Sequence, residues 1–382
     1  MKKRIVYIWE FPFTGQHYKY YFIKYLKNFF NIKIIDFSKI FNSKIKLFRD
    51  RNFYKPTTLL EFKKKINFNK VDYVVLDGSE VFKKKIYNLL KKYKIKFINF
   101  QIHYPEYDRI TFKILLKIIL DFKIRFIFIV IYKLFKNKFK IFKNLSDKLK
   151  KELDYKIDLI FVAGDLTKQN FINNKNVGKI IETCSYEYVV KPNIIYKGKY
   201  CIFLDNLTFT HPDFSINKLN INIDHNYYLL MNNFFKFVER NFKIKIIIAA
   251  HPKTHLKKFK CLYPSYEIIK NKTPELVFSA QFVMAHSTTS SINFAVLYKK
   301  PIIFITTDEL EKKYQYIKSM LFKNTILKQP VINVNQKINY FNFNNYNKVN
   351  LNGYQEFIYK FMKTKNTGLL LKKNILEEIK KL

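Results

Sequence analysis

A histidine followed by proline and lysine, His251-Pro252-Lys253, closes a strongly apolar run from Ile244 to Ala250. About 35 residues later a second apolar run, Gln281 to Ala285, ends in His286 and five consecutive hydroxyls: Ser287, Thr288, Thr289, Ser290 and Ser291. In an open parallel sheet, ligands sit beyond the carboxyl ends of the strands, so both clusters fall where a ligand is expected. An imidazole fixed by a following proline can donate to a phosphate or protonate a leaving oxygen, and Lys253 adds a positive charge beside it. The hydroxyl run precedes a helical stretch, Ser291 to Tyr298, whose first backbone N–H groups suit an anion. Each cluster also has a plain structural use. A lone loop histidine is commonly satisfied by backbone, and Ser or Thr at a helix start commonly serves as a cap. One strand-helix unit separates the two clusters, so they are expected to flank one crevice.

Carboxylates stand at three other strand ends. Asp77-Gly78 closes Tyr73 to Leu76, Glu10 follows the strand Ile5 to Trp9, and Asp205 follows Tyr200 to Leu204. Each is a candidate general base, and Asp77-Gly78 reads equally well as a turn. Gly15 and His17 lie in the first loop, within reach of a substrate. No Gly-x-Gly-x-x-Gly or P-loop pattern is present, which argues against a dinucleotide cofactor or ATP. The histidines lack metal-ligand spacing, so neither a metal nor any other cofactor is expected.

The elements that must position these groups alternate. Apolar runs at 5–9, 32–37, 73–76, 96–102, 157–163 and 179–182 read as strands, with helices between several of them, such as 81–93 and 166–172. The pattern restarts after a linker at Pro192 to Lys199, with strands at 200–204, 244–250, 266–269, 281–285 and 301–305 and helices at 226–241, 274–280 and 291–298. A helix from about Gly353 to Lys363 and a basic tail close the chain. Such alternation specifies an α/β protein with two Rossmann-like domains on parallel sheets. The length also suits two domains.

One stretch breaks the rhythm. Lys113, Lys117, Asp121 and Arg125 recur every four residues opposite an apolar side, and Phe112 to Lys151 holds twelve Lys or Arg against two Asp. A basic helical insertion is expected at 112–151, either lying on an anionic membrane surface or packed on its own domain with a solvated charged face. The whole chain carries a formal charge of +42. Part of that excess reflects composition, which is rich in Lys, Asn, Ile, Phe and Tyr and poor in Ala, Gly and Arg, as an AT-rich genome encodes. Nucleic acid is not an expected partner, because no zinc-finger spacing, aromatic RNA-binding motif or compact Arg-rich arm occurs. Cys184, Cys201 and Cys261 are odd in number and widely spaced, which suggests a reducing compartment. The first residues lack the apolar length of a secretory signal, and no run reaches a membrane span of about 20 residues. A cytoplasmic location follows as the expectation, with possible peripheral attachment to the inner membrane.

The order strand-His251-Pro252, then strand-His286-Ser287-Thr288-Thr289-Ser290-Ser291-helix-Lys300-Pro301-strand, resembles the carboxyl-terminal domain of GT-B glycosyltransferases that build bacterial surface glycans. Within that group it is similar to sialyltransferases, polysialyltransferases and Kdo transferases with a His-Pro motif and a Ser/Thr motif, and to CDP-glycerol polymerases. The motifs span residues 200–306, and the architecture spans the chain. The resemblance implies an acceptor-side domain over 1–191, a nucleotide-sugar domain over 199–352, and a terminal helix with basic tail over 353–382. It implies His251 as a catalytic group and Pro252 and Ser287 to Ser291 as donor contacts, with no metal; Lys253 and His286, beside them at the same strand ends, are expected at the same donor site. Several such sialyltransferases carry an acidic-acidic-Gly motif whose carboxylate is the base. Asp77-Gly78 matches it with Leu76 in the first acidic position. The implied activity is inverting transfer of a nonulosonate or Kdo-type sugar from a CMP-linked donor to a capsule, lipooligosaccharide or other surface-glycan acceptor. The alternatives are a CDP-glycerol-type phosphopolyol transferase, a UDP-sugar enzyme such as an epimerase, or a non-enzymatic basic protein on membranes.

Overall fold

A computed structural model describes residues 2–41, 53–102, 153–207, 225–286, 290–311, 324, 326–336, 348–364 and 371–382. The expected helical insertion at 112–151 lies outside these residues. So do Ser287, Thr288 and Thr289.

The chain forms two parallel sheets, as the alternation predicts. The first contains β1 (Arg4–Trp9), β2 (Asn31–Asp36), β3 (Phe53–Tyr54), β4 (Tyr73–Asp77), β5 (Lys96–Gln101), β6 (Ile157–Ala163) and β7 (Val177–Thr183), in the order β3-β2-β1-β4-β5-β6-β7. The second contains β8 (Tyr200–Leu204), β9 (Lys245–Ala250), β10 (Glu267–Lys270), β11 (Val283–Ala285), β12 (Ile302–Thr306) and β13 (Val331–Asn333), in the order β10-β9-β8-β11-β12-β13. Every strand pairing in both sheets is parallel.

The central strands β1, β4, β8 and β11 are nearly all buried because both faces of each sheet are covered there. Along β1, Ile5, Tyr7 and Trp9 enter one core cluster while Val6 and Ile8 enter another. Along β8, Cys201 and Phe203 face one core while Tyr200, Ile202 and Leu204 face the other. The long helix His225–Phe242 contributes Tyr227, Met231, Phe234, Phe235 and Val238 to the first of these.

Sequence and structure part at short or charged elements. Between β1 and β2 the chain forms two short helices, Gly15–Tyr20 and Ile23–Leu26, separated at Phe22, which adopts a left-handed φ of 51°. The stretch read as a basic tail contains the amphipathic helix Leu371–Lys381, whose Ile375, Leu376 and Ile379 are buried in the core of the first sheet. The chain therefore crosses back to its first half at its end.

The two halves meet along the carboxyl edge of the first sheet. Gly164, directly after β6, packs so closely on helix Leu351–Phe361 that a Cβ there would sit 2.3 Å from the Lys360 carbonyl oxygen. Its φ of +81° is a second reason for glycine at this position. After β7, the Ser185 amide donates to the Met362 carbonyl at 2.6 Å. The Tyr298 hydroxyl donates to the Val190 carbonyl at 3.4 Å.

Candidate functional site

Strand order reverses once in each sheet. The first runs outward from β1 through β2 to β3, then restarts at β4 on the other side; the second does the same at β8 and β11. At such a reversal the following loops diverge, leaving a crevice at the carboxyl ends of the two central strands.

At the first reversal, Trp9 pairs with Asp77 in register, and the Glu10 amide donates to the Asp77 carbonyl at 3.1 Å. Two carboxylates thus stand side by side. Asp77 Oδ2 accepts from the Tyr21 hydroxyl at 2.7 Å. Burial raises the Asp77 carboxyl above the usual range; the Tyr21 bond, Lys83 and the Gly78 amide oppose this, and Glu10 adds to it. Glu10 is bound differently. Its Oε2 accepts from the Ser79 amide at 2.5 Å and its Oε1 from the Ser79 hydroxyl at 3.1 Å. Ser79 caps helix Glu80–Leu90, so the Glu10 side chain lies on a helix start, held by the Ser79 amide and hydroxyl. Gly78 makes this arrangement possible. At φ +142°, a Cβ there would fall 2.6 Å from Glu10 Cβ.

His17 borders the same edge. Its Nδ1 accepts from the Thr14 amide at 3.0 Å, which puts the neutral ring's proton on Nε2, and its ring lies 5.5 Å from both Trp9 and Phe13. The loop carrying it is tied down by Asp36, buried at the end of β2, which accepts from the Phe13 and Ser38 amides at 3.1 and 2.8 Å.

The second reversal brings together Asp205, His251 and His286. Leu204 is in register with Ala249 and Ala285, so Asp205 stands level with His286 and with Ala250, the residue before His251. His251 is partly exposed in the turn between β9 and helix Leu256–Leu262. Its Nδ1 accepts from the Lys253 amide at 3.1 Å, leaving Nε2 as the protonated nitrogen of the neutral ring. The motif's Pro252 and Lys253 share this turn and are partly exposed.

The structure places His286, expected among the donor contacts, inside the domain. Its side chain is fully buried; Nδ1 donates to the Ile305 carbonyl at 2.8 Å and Nε2 accepts from the Tyr227 hydroxyl at 2.6 Å. Burial depresses its pKa to about 4, so it is a neutral strut beneath the site. Asp205 is likewise buried. Its Oδ1 accepts from the Leu207 amide at 3.1 Å, the amides of His251 and Asn206 oppose the effect of burial, and the net result is a pKa raised to about 7. Being enclosed, Asp205 is poorly placed to take a proton from an acceptor.

Of the hydroxyl run, Ser290 is exposed and Ser291 partly so. Ser291 stands at the N-cap of helix Ile292–Leu297 yet makes no capping bond, whereas its carbonyl accepts from the Phe294 amide at 3.2 Å. A helix of six residues has a weak dipole, so an anion here relies on local amides and hydroxyls. The same helix borders helix Tyr186–Val189, which follows β7 of the first sheet.

Sequence reading missed the tyrosines. Tyr21, Tyr227 and Tyr263 hold or border the site's polar groups, yet each appears in the sequence only as one aromatic among many. Among the described residues, no group of three His, Cys, Asp or Glu is arranged to hold a metal ion. No described helix is long and apolar enough to cross a membrane.

No family model matches the chain, and no curated protein matches it. Solved structures do. The glycotransferase of kitacinnamycin aligns over 100% of this chain and 99% of its own, with a TM-score of 0.51 and 7% identity. MurG of Acinetobacter baumannii aligns over 100% of both chains, with a TM-score of 0.48 and 8% identity. A UDP-N-acetylglucosamine 2-epimerase aligns over 99% of this chain and 96% of its own, with a TM-score of 0.47 and 14% identity. At 7% identity the first of these likenesses speaks to the fold. Together with the two parallel sheets, it makes this chain an α/β protein of GT-B architecture.

Proposed function

We propose that this chain is a glycosyltransferase whose cleft takes a nucleotide-activated sugar, with the donor phosphate at the second reversal and the acceptor hydroxyl at the first. The observation that carries this reading is chemical asymmetry. Partly buried carboxylates end the central strands of one sheet, while a partly exposed imidazole and the Ser290-Ser291 helix start end those of the other.

The proposed step is an inverting displacement. The acceptor oxygen forms a bond to the anomeric carbon as that carbon's bond to the donor phosphate breaks, and the acceptor proton passes to a carboxylate. Asp77 is the preferred base, because burial raises its proton affinity. Charge accumulates on the departing phosphate, where His251 Nε2–H, Lys253 and the hydroxyls of Ser287 to Ser291 would stabilise it. The donor we favour is CMP-linked and carries a nonulosonate or Kdo-type sugar, with a bacterial surface glycan as acceptor. This preference rests on the resemblance of the His251-Pro252 and Ser287–Ser291 motifs. The basic segment 112–151 would hold the enzyme to an anionic membrane, and binding to anionic liposomes at low salt tests that part separately.

A thermal-shift screen with CMP, CDP and UDP, followed by product analysis with the sugar of the best nucleotide, tests the reading. Stabilisation by CMP above the other two, and a glycoside of inverted configuration, is the expected result. Preference for UDP would redirect the donor assignment. No response to any of the three would remove the transferase reading itself.

A further inference from the structure

The turn that presents His251 is held from a neighbouring strand. In the four-residue turn His251–Thr254, the Thr254 amide donates to the His251 carbonyl at 2.9 Å, and Pro252 occupies the second position, where its fixed φ suits the bend. The Lys253 amide, inside the same turn, is the donor that holds His251 Nδ1 at 3.1 Å. Lys270 ends the adjoining edge strand β10, in register with Ala250, the residue before His251. Its side chain crosses to the turn, where Nζ donates to the Thr254 carbonyl at 2.9 Å. Asn271 then leaves the strand at a left-handed φ of 63°.

We infer that Lys270 is the positioning residue for His251: by fixing the Thr254 end of the turn, it keeps the Lys253 amide on Nδ1 and so keeps the ring proton on Nε2. The inference rests on the donor-site reading only in the use it gives that proton; the bonds themselves are independent of it.

Three observations carry it. Thr254 is buried, so loss of the Lys270 ammonium leaves its carbonyl poorly solvated and the end of the turn without its anchor. Lys270 is itself partly buried, which lowers its pKa, and it pairs with no carboxylate among the described residues. A lysine at the end of an edge strand avoids that cost by extending into water, so the bond to Thr254 is what the side chain gains by turning inward. The strand also aims it correctly. Ile268, two residues earlier on the same face, packs on the core cluster that includes Ala250 and Phe259 of helix Leu256–Leu262, so Lys270 leaves the sheet on the side where Thr254 leads into that helix. A neutral imidazole divides its proton between two nitrogens unless one is engaged; a donor fixed on Nδ1 enforces the Nε2–H form that a phosphate oxygen can accept from.

The test uses the full chain. Nitrogen NMR shifts of the neutral ring report which nitrogen of His251 carries the proton, and His251→Gln identifies its signals among those of the other histidines. Lys270→Met keeps the length of the side chain and removes the donor. It is expected to convert His251 from a single Nε2–H tautomer to a mixture with Nδ1–H. With the donor that the nucleotide screen selects, it is expected to lower kcat about tenfold and to change KM less than about threefold, since the contact matters most as charge develops on the phosphate. Lys270→Thr suits a strand end and is too short to reach Thr254; it is expected to read like Lys270→Met and decides if that variant does not fold. Lys270→Arg keeps a charged donor and is expected to restore the single tautomer. A folded Lys270→Met or Lys270→Thr with the wild-type tautomer overturns the inference, even if its stability or nucleotide affinity falls, because the role is then structural or merely electrostatic. A mixture in Lys270→Arg equal to that in Lys270→Met assigns the effect to packing and overturns it too. If wild-type protein neither binds CMP nor turns over any donor, the donor-site reading fails, while the tautomer still decides the inference.

Discussion

The two reversals share a topology and use it in opposite ways. At the first, Glu10 and Asp77 are partly exposed and held at the surface, one by the Ser79 amide and the other by the Tyr21 hydroxyl. At the second, the carboxylate and one of the two histidines lie beneath the surface, and His251 alone of the three reaches it. The same strand-end position therefore leaves a group partly exposed or encloses it, depending on what covers it. At the second reversal, Tyr227 of helix His225–Phe242 bonds the enclosed His286 ring.

The largest expected effect comes from removing a buried strut. His286→Leu leaves the Tyr227 hydroxyl and the Ile305 carbonyl without their partner and is expected to cost about 3 kcal/mol of stability, read from denaturant unfolding. His251→Gln, in the exposed turn, is expected to cost under about 1 kcal/mol. Equal losses would erase the distinction between support and surface.

Proton linkage sharpens the same contrast. His286 falls from a reference pKa of 6.5 to about 4 in the folded state, so its contribution is present above pH 6.5 and is lost as pH falls towards 4. Asp205 rises from 3.8 to about 7, so its contribution is present below pH 3.8 and is lost as pH rises through 7. Between these limits the two oppose each other. Wild-type protein is expected to show a shallow stability profile there. Asp205→Asn should become more stable as pH rises from about 4 to 6.5, and His286→Leu less stable as pH rises from about 4 to 7. Parallel profiles for both variants would refute the burial of one of these groups.

A middle-sized effect belongs to the first reversal. Gly78→Ala forces a Cβ to within 2.6 Å of Glu10 Cβ and 2.7 Å of its Oε2 at a φ of +142°, and is expected to cost about 2 kcal/mol by thermal unfolding. The smallest is Tyr21→Phe. Loss of its bond to Asp77 is expected to cost about 1 kcal/mol and, because that bond lowers the Asp77 pKa, to move the acid limb of any turnover profile to higher pH. A shift to lower pH would exclude Asp77 as the base.

The sheets were legible because buried parallel strands are written as continuous apolar runs. Tyr200–Leu204 and Ile157–Ala163 are visible to the residue. β3 and β13 were not, since two or three residues carry no period. Helix Leu371–Lys381 was obscured by its lysines, although Ile375, Leu376 and Ile379 mark an apolar side. At the site, position along the chain was legible and depth was not. His286 and Asp205 were recognised as strand-end polar groups, but their burial depends on Tyr227, Tyr263 and the Ile305 carbonyl, which no local pattern connects to them. His251 differs because its ring is satisfied locally, by the Lys253 amide two residues on.

The most direct test of the account is turnover in His251→Ala, assayed with whichever donor the nucleotide screen selects. The account predicts that turnover falls at least about a hundredfold while the unfolding midpoint stays near wild type, since the ring is partly exposed and its loss removes a transition-state contact. Full turnover in a folded His251→Ala protein would contradict it.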